Sequence, residues 1–129
     1  MALSLGDANR MCSAAIKAAE DKNVKLSVAV CDAGGKLLAF QRMEGAIFIS
    51  ADVAIGKAVG SVGFGRPSGD IPADNPVIQA VLATQGGKMV PAQGAVPIIQ
   101  NGNIVGAIGG SGGTSQEDED CARVGMAAL

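Results

Sequence analysis

Hydrophobic positions in the first third of this 129-residue chain change from a helical period to a strand period. Apolar residues from Leu5 to Ala19 recur at helical spacing, which predicts a helix over about 5–22 with Ser4 at its cap. Residues 25–31 then alternate between apolar and polar, as in a half-buried strand. The Asp-Ala-Gly-Gly turn at 32–35 returns the chain as a second strand over about 36–43.

The middle of the chain predicts two helices separated by a polar, proline-containing loop. Ser50 fits the N-cap of a helix that ends near Phe64. Glycines inside this helix indicate close packing, either against the sheet or against another subunit. A shorter helix is predicted over about 76–84, closed by Gly86 and Gly87.

The last third predicts strands and a final helix. The Met89-Val90 pair is bounded by Gly87 and Pro91, so it is expected to form a short edge strand or a loop. The Asn101-Gly102 dipeptide predicts a tight hairpin between two apolar strands. A helix capped by Thr114 or Ser115 follows. The order α-β-β-α-α-β-β-β-α predicts a single α+β domain over 1–129, with a mainly antiparallel sheet flanked by helices.

Composition excludes several functional classes. The net charge is -2, and Trp and Tyr are absent, so nucleic acid is not an expected partner. Three cysteines without a CxxC spacing indicate reduced thiols, and hence a cytoplasmic location. No segment of the sequence has the pattern of a signal peptide or a membrane span, so no membrane partner is expected.

The absence of histidine limits the chemistry most strongly. It excludes Ser-His-Asp and Cys-His catalysis, zinc sites with histidine ligands, and the usual general base at neutral pH. Any reaction must therefore use carboxylates, Lys, Arg, Cys or an external cofactor. The three cysteines fit buried packing roles better than a nucleophilic role, because no histidine is present to lower a thiol pKa.

Two basic residues are candidates for contact with an anionic ligand. Arg42 ends the second strand, where it can hold a carboxylate with two hydrogen bonds or carry a solvated charge. Lys57 interrupts an otherwise apolar helix, so its side chain either reaches water or faces a pocket or a partner subunit.

The acidic run 117–120 follows a glycine-rich segment, 109–113. Four carboxylates would repel a phosphate at this helix start, and they fit acids that complement the helix dipole. A hard cation is the alternative, but the spacing of a calcium loop is missing, so no metal site is predicted. Met11 and Met43 are conceivable soft haem ligands, although ordinary packing explains both.

Motifs along almost the whole chain resemble the GlcG/HbpS-like family, which includes haem-binding proteins and the C-terminal domain of PduO-type proteins. The matching residues are Cys31 to Phe40, Arg42 to Ala46, Ala54 to Ala58, Phe64 to Pro67, Gly86-Gly87, Gly94 to Ile98, Val105 to Gly109, Gln116 to Asp118 and Cys121-Ala122. The resemblance implies a profilin-like domain with a five-stranded antiparallel sheet, assembled into dimers or larger oligomers. It also implies haem as a ligand. Without His or Tyr, this chain would hold haem through Met, Cys, Lys or hydrophobic enclosure.

The leading hypothesis is an oligomeric, cytoplasmic ligand-binding protein, accessory to a catabolic or cofactor pathway. A small organic or tetrapyrrole ligand of the haem or corrinoid type would bind between the second strand, the second helix and the glycine loops. The residues expected to contact it are Arg42, Lys57, Gly86, Gly87, Ser111 and Gly112. Two alternatives remain: a small-metabolite lyase, isomerase or tautomerase that uses Lys57 or a carboxylate as its base, and an assembly scaffold without a ligand.

Overall fold

A computed structural model describes residues 2–129, so Met1 of the predicted domain lies outside the described residues. Its elements are α1 (Leu5–Asp21), β1 (Ser27–Asp32), β2 (Leu37–Arg42), α2 (Ile49–Phe64), the 3-10 helix η1 (Ser68–Asp70), α3 (Pro76–Thr84), β3 (Ala95–Gln100), β4 (Asn103–Ser111) and α4 (Ser115–Met126). The predicted antiparallel α+β fold is confirmed, and the element order broadly agrees with the prediction.

The strands form one antiparallel sheet in the order β2-β1-β4-β3. One face carries α1 and α4, and the larger part of the core lies between them and the sheet. Met11 of α1, Val28 of β1, Ile108 of β4 and Cys121 of α4 are fully buried there. The other face carries α2, which packs against β1, β4 and β3 through small residues. The sheet is therefore the middle layer of three.

Close backbone contact holds α2 on the sheet. A Cβ atom at Gly109 of β4 would lie 2.5 Å from the Ala54 carbonyl oxygen and 3.0 Å from the Ala58 nitrogen. Only glycine leaves room for the helix backbone at this position. Ala58 also packs on Cys31 and Ala107 in a small second cluster. The close packing that the glycine and alanine content predicts is found at this contact.

The described residues form four strands, so the expectation of a fifth strand is wrong. Met89 and Val90 lie outside the sheet. The backbone N–H of Val90 donates to the Gly56 carbonyl of α2 at 2.9 Å, and the following Pro91 has no N–H to donate. This segment therefore runs along α2 instead of pairing with a strand.

Helix α2 begins without the predicted serine cap. It starts at Ile49, and Phe48 occupies the cap position without a side-chain bond. Ser50 lies inside the first turn, where its hydroxyl donates to the Ile47 carbonyl at 2.6 Å and lies 2.8 Å from the Ser27 hydroxyl. The serine thus connects the start of α2 to β1 instead of capping the helix.

The contact at Gly109 predicts a specific loss of stability. Gly109→Ala should lower the free energy of unfolding by about 1–3 kcal/mol, because the new methyl group must push α2 away from β4. Gly6→Ala is the matched control, since the nearest atom to its added Cβ is Ser4 Oγ at 3.9 Å and alanine favours a helix. Urea unfolding should give Gly6→Ala unchanged or slightly raised stability. Equal losses in both variants would contradict this account of the packing.

Candidate functional site

A groove runs along one side of α2, between the β1–β2 turn and the segment after α3. Ile55 and Val59 form its floor, joined by Val62 one turn further on. The hairpin turn between β1 and β2 forms one wall and the segment after α3 forms the other. Two adjoining cavities of about 430 Å³ and about 230 Å³ make up this groove, and both are lined by Gly35, Val59 and Lys88.

Glycines of α2 hold the second wall in place. A Cβ at Gly56 would lie 2.5 Å from a methyl carbon of Val90, and one at Gly63 would lie 2.5 Å from the Met89 methyl carbon. The segment after α3 therefore packs directly on the helix backbone. The glycines that sequence reasoning assigned to a sheet or subunit contact serve here, at these two positions, to position the groove wall.

The walls of the groove carry positive charge. Lys36 lies on the hairpin wall and Lys88 on the opposite wall, and both side chains belong to exposed residues. Neither forms an ion pair within residues 2–129. Asp52 lines the wider cavity and is the acidic residue of the groove lining. An apolar floor between two free ammonium groups suits a ligand with an apolar body and carboxylate groups.

Lys57 and Asp118 form a buried ion pair at the end of the sheet. Their side chains are 6% and 4% exposed, and Lys57 Nζ lies 3.1 Å from Asp118 Oδ2. Lys57 also donates to the Gly110 carbonyl at 3.1 Å, while Asp118 Oδ1 accepts from the Gly113 N–H at 2.8 Å. Burial raises the pKa of the Asp118 carboxyl, and the Gly113 N–H and Lys57 act in the opposite direction.

This pair connects α2 on one face of the sheet to the start of α4 on the other. The Lys57 side chain can reach Asp118 because residue 94 is a glycine. A Cβ at Gly94 would lie 2.7 Å from Lys57 Nζ and 2.6 Å from the Gly110 carbonyl oxygen. Sequence reasoning missed the partnership. A lone lysine in an apolar helix and one acid within a run of four were the available signals, but 61 positions separate the two residues.

The six residues predicted to contact a ligand lie in different parts of the fold. Gly87 lines the groove, and Gly86 precedes it in the turn that closes α3. Lys57 forms the buried ion pair with Asp118. Ser111 is the last residue of β4, and Gly112 follows it. Arg42 is exposed at the end of β2, with Nη1 3.4 Å from the Ala46 carbonyl. No observation tests their contact with a ligand, so that role stays a prediction.

The four acids of α4 have separate partners. Thr114 and Glu117 form a capping box at the helix start, Asp118 pairs with Lys57, Glu119 with Arg123, and Asp120 accepts from Gln116. Within the part of the chain that the structure describes, no group of three or more Cys, Asp or Glu side chains converges as a metal site would require.

The sulfur atoms lie mostly in the core. Met11 is fully buried, and Met43 Sδ accepts from the Leu26 N–H at 3.2 Å. Among the residues that line the groove, Met89 supplies the one sulfur. All three cysteines are free and buried.

The buried ion pair predicts a large difference between two lysine substitutions. Lys57→Met should cost about 3–5 kcal/mol of unfolding free energy, because it leaves the Asp118 carboxylate buried and unpaired. Lys17→Met, which removes one partner of the exposed Lys17–Asp21 pair, should cost at most about 1 kcal/mol.

The double variant Lys57→Met with Asp118→Asn supplies the internal control for that measurement. It should recover part of the loss, because an amide oxygen still accepts from Gly113 without a buried charge. A Lys57→Met cost no larger than that of Lys17→Met in chemical denaturation would contradict this assignment.

The thiols should be unreactive in the folded protein. Burial raises the pKa of Cys12 and of Cys31 to about 11, and it raises the pKa of Cys121. At about pH 8, labelling by a thiol reagent should be about a hundredfold or more slower than in denaturant, because the thiolate is the reacting species. One thiol that labels at the denatured rate would show an accessible nucleophile and contradict the prediction.

Comparison with known proteins finds relatives of this sequence and of this fold. A family model described as haem degrading protein HbpS-like matches residues 3–127. A 15.0 kDa protein from the dhaT-dhaS intergenic region of Citrobacter freundii is 32% identical over 90% of this chain and 84% of its own length. The corrinoid adenosyltransferase PduO of Salmonella typhimurium is 29% identical over the whole chain, which spans only 39% of that enzyme.

Solved structures agree with the family model. The crystal structure of the PduOC:heme complex has a TM-score of 0.90 and 27% identity, covering 100% of this chain and 96% of that one. The crystal structure of HbpS has a TM-score of 0.88 and 31% identity, covering 100% of this chain and 91% of that one. Within residues 2–129, no helix combines the length and the apolar character needed to span a membrane. With a family model matched over almost its entire length, the chain belongs to the HbpS-like family.

Proposed function

We propose that this protein binds a ligand with a flat apolar body and carboxylate groups in the groove along α2. The observation that carries this proposal is the apolar floor between Lys36 and Lys88, two exposed ammonium groups without ion-pair partners among the described residues. Binding, and not catalysis, is proposed because the buried Lys57–Asp118 pair lines neither of the two cavities that make up the groove.

A tetrapyrrole fits this description in size and in charge. The wider cavity of about 430 Å³ lies within the range of small-molecule sites. Porphyrins such as haem present an apolar ring with two propionate groups, which two lysines on opposite walls can hold. A relative with the same fold has been solved as a haem complex, which favours this class over an unrelated organic acid.

The residues present fit the porphyrin ring better than they fit an iron. The chain has no His or Tyr to serve as an axial ligand. Met89 offers a thioether at the groove, a soft ligand that iron accepts in some haem proteins. A bound haem would supply an iron centre; the chain's own residues would enclose the ring on Ile55 and Val59 and hold its carboxylates.

We further propose that the protein acts in the cytoplasm as an accessory to a catabolic or cofactor pathway. Three buried, unpaired thiols suit a reducing compartment. Its relatives include a corrinoid adenosyltransferase and a protein of the dhaT-dhaS region, which support a link to small-molecule metabolism.

Fluorescence and absorbance titrations with haemin, metal-free protoporphyrin IX and a small dicarboxylic acid test the groove. Lys36→Gln and Lys88→Gln should each weaken protoporphyrin binding by about three- to tenfold, because each removes one carboxylate contact. Lys22→Gln is the control, since this exposed lysine follows the last residue of α1, across the sheet from the groove. Met89→Leu should change the haemin spectrum and leave protoporphyrin affinity unchanged.

Arg42→Ala is measured in the same series, because Arg42 is the alternative carboxylate anchor. If Arg42→Ala weakens binding while the two groove lysine variants do not, the ligand lies at β2 and the groove is the wrong site. Binding of the dicarboxylic acid without binding of either porphyrin would keep the groove but change the ligand class.

A further inference from the structure

The charged side chains of the groove are divided between its two cavities. Lys36 and Lys88 both line the narrower cavity, together with the amide of Gln85, and none of the described residues that line this cavity is acidic. Asp52 lines only the wider cavity, which Lys88 also borders. Positive charge is therefore concentrated at one end of the groove, and the negative charge lies at the other end.

Helix α2 sets the distance between these two ends. Asp52 lies in the first turn of the helix, whereas Val62, which lines only the narrower cavity, lies ten residues later. Ten residues of an α-helix rise about 15 Å. The apolar floor formed by Ile55 and Val59 occupies the space between the two ends.

The charge of Asp52 is available to a ligand. Within the part of the chain that the structure describes, this exposed residue forms no ion pair. As an acid in the first turn, Asp52 complements the dipole of α2, a role that needs a negative charge but no groove. Its place in the lining of the wider cavity has a second consequence, because a ligand carboxylate that reached this end would meet a like charge.

We propose that Asp52 determines which carboxylated ligands the groove accepts. This inference rests on the function proposed for the groove and names a narrower ligand class, an apolar body with all of its carboxylates on one edge. The lysines hold that edge at the narrower cavity, and the uncharged edge lies at the wider one. A ligand with carboxylates on opposite edges would place one of them beside Asp52, where repulsion is strongest.

The length of the groove makes this discrimination selective. Carboxylates held at the lysine end lie about 15 Å from Asp52, beyond the Debye length of about 8 Å at physiological ionic strength. Solvent and salt therefore screen them from Asp52. A carboxylate at the wider end is not separated in this way, so Asp52 acts against the second kind of ligand and leaves the first kind almost unaffected.

Two metal-free porphyrins form a matched pair of probes. Protoporphyrin IX carries its two propionates on one edge of the ring. Coproporphyrin III carries a propionate on each of its four pyrroles, so two of them point to the opposite edge. The vinyl groups that these two replace differ from them in size, but that difference is the same for every protein variant. A change in preference between variants therefore reports on residue 52.

Fluorescence titration of both porphyrins against the wild type and its variants tests the inference. The wild type should bind protoporphyrin IX more tightly than coproporphyrin III. Asp52→Asn removes the charge at nearly constant size, so it should raise the affinity for coproporphyrin III by about tenfold and change that for protoporphyrin IX by less than about twofold. Asp52→Glu keeps the charge and should keep the preference.

Asp7→Asn is the matched control, because Asp7 is the first-turn acid of α1, on the other face of the sheet. It should leave the ratio of the two affinities unchanged. Circular dichroism checks that all variants remain folded. If Asp52 served only the dipole of α2, Asp52→Asn would change both affinities by the same factor.

An unchanged ratio of affinities in Asp52→Asn, the same change in Asp7→Asn, or tighter binding of coproporphyrin III by the wild type would overturn the inference. In each of these cases, binding of protoporphyrin IX by the wild type would leave the function proposed for the groove standing. A wild type that binds neither porphyrin would overturn this inference and the tetrapyrrole assignment together.

Discussion

The close approach of α2 to β4 is the constraint on which the rest of the structure depends. Because Gly109 has no side chain, the backbone of α2 lies directly against β4. Only small residues of α2 fit between the helix and the sheet at this distance. The larger apolar side chains of α2, Ile55 and Val59, lie to one side of this contact, where they line the groove. The same packing that fixes the fold thus produces an apolar surface that the sheet does not cover.

That surface becomes a groove because further glycines let the segment after α3 lie against the helix. Gly56 accommodates Val90, and Gly63 accommodates Met89. The wall carries Lys88 as a consequence, opposite Lys36 on the hairpin turn. Across the sheet, the buried Lys57–Asp118 pair ties α2 to α4. Because this pair is buried in the core, neither Lys57 nor Asp118 is available to a ligand in the groove.

Local patterns in the sequence predict much of this fold. The Asn101-Gly102 turn has positive φ angles at both residues, as such dipeptides favour, and α3 spans the residues 76–84 that its spacing indicates. The predictions of local structure fail where a contact with another element determines the conformation. Val90 donates to the Gly56 carbonyl instead of joining a strand, and Ser50 contacts the Ser27 hydroxyl of β1 instead of capping α2. Neither choice is visible without the neighbouring element.

The site was predicted less well than the fold for the same reason. Gly87 was predicted as a ligand contact and lines the groove, but its contact with a ligand stays a prediction. Lys36 and Lys88 were not predicted, because they look like ordinary exposed lysines until the fold places them on the two walls of the groove. The most direct test is to map amide chemical shifts in NMR spectra as metal-free protoporphyrin IX is added. The account predicts shifts concentrated at residues 34–36, 52–62 and 85–89. Shifts concentrated at Arg42, or at Ser111 and Gly112, would contradict it.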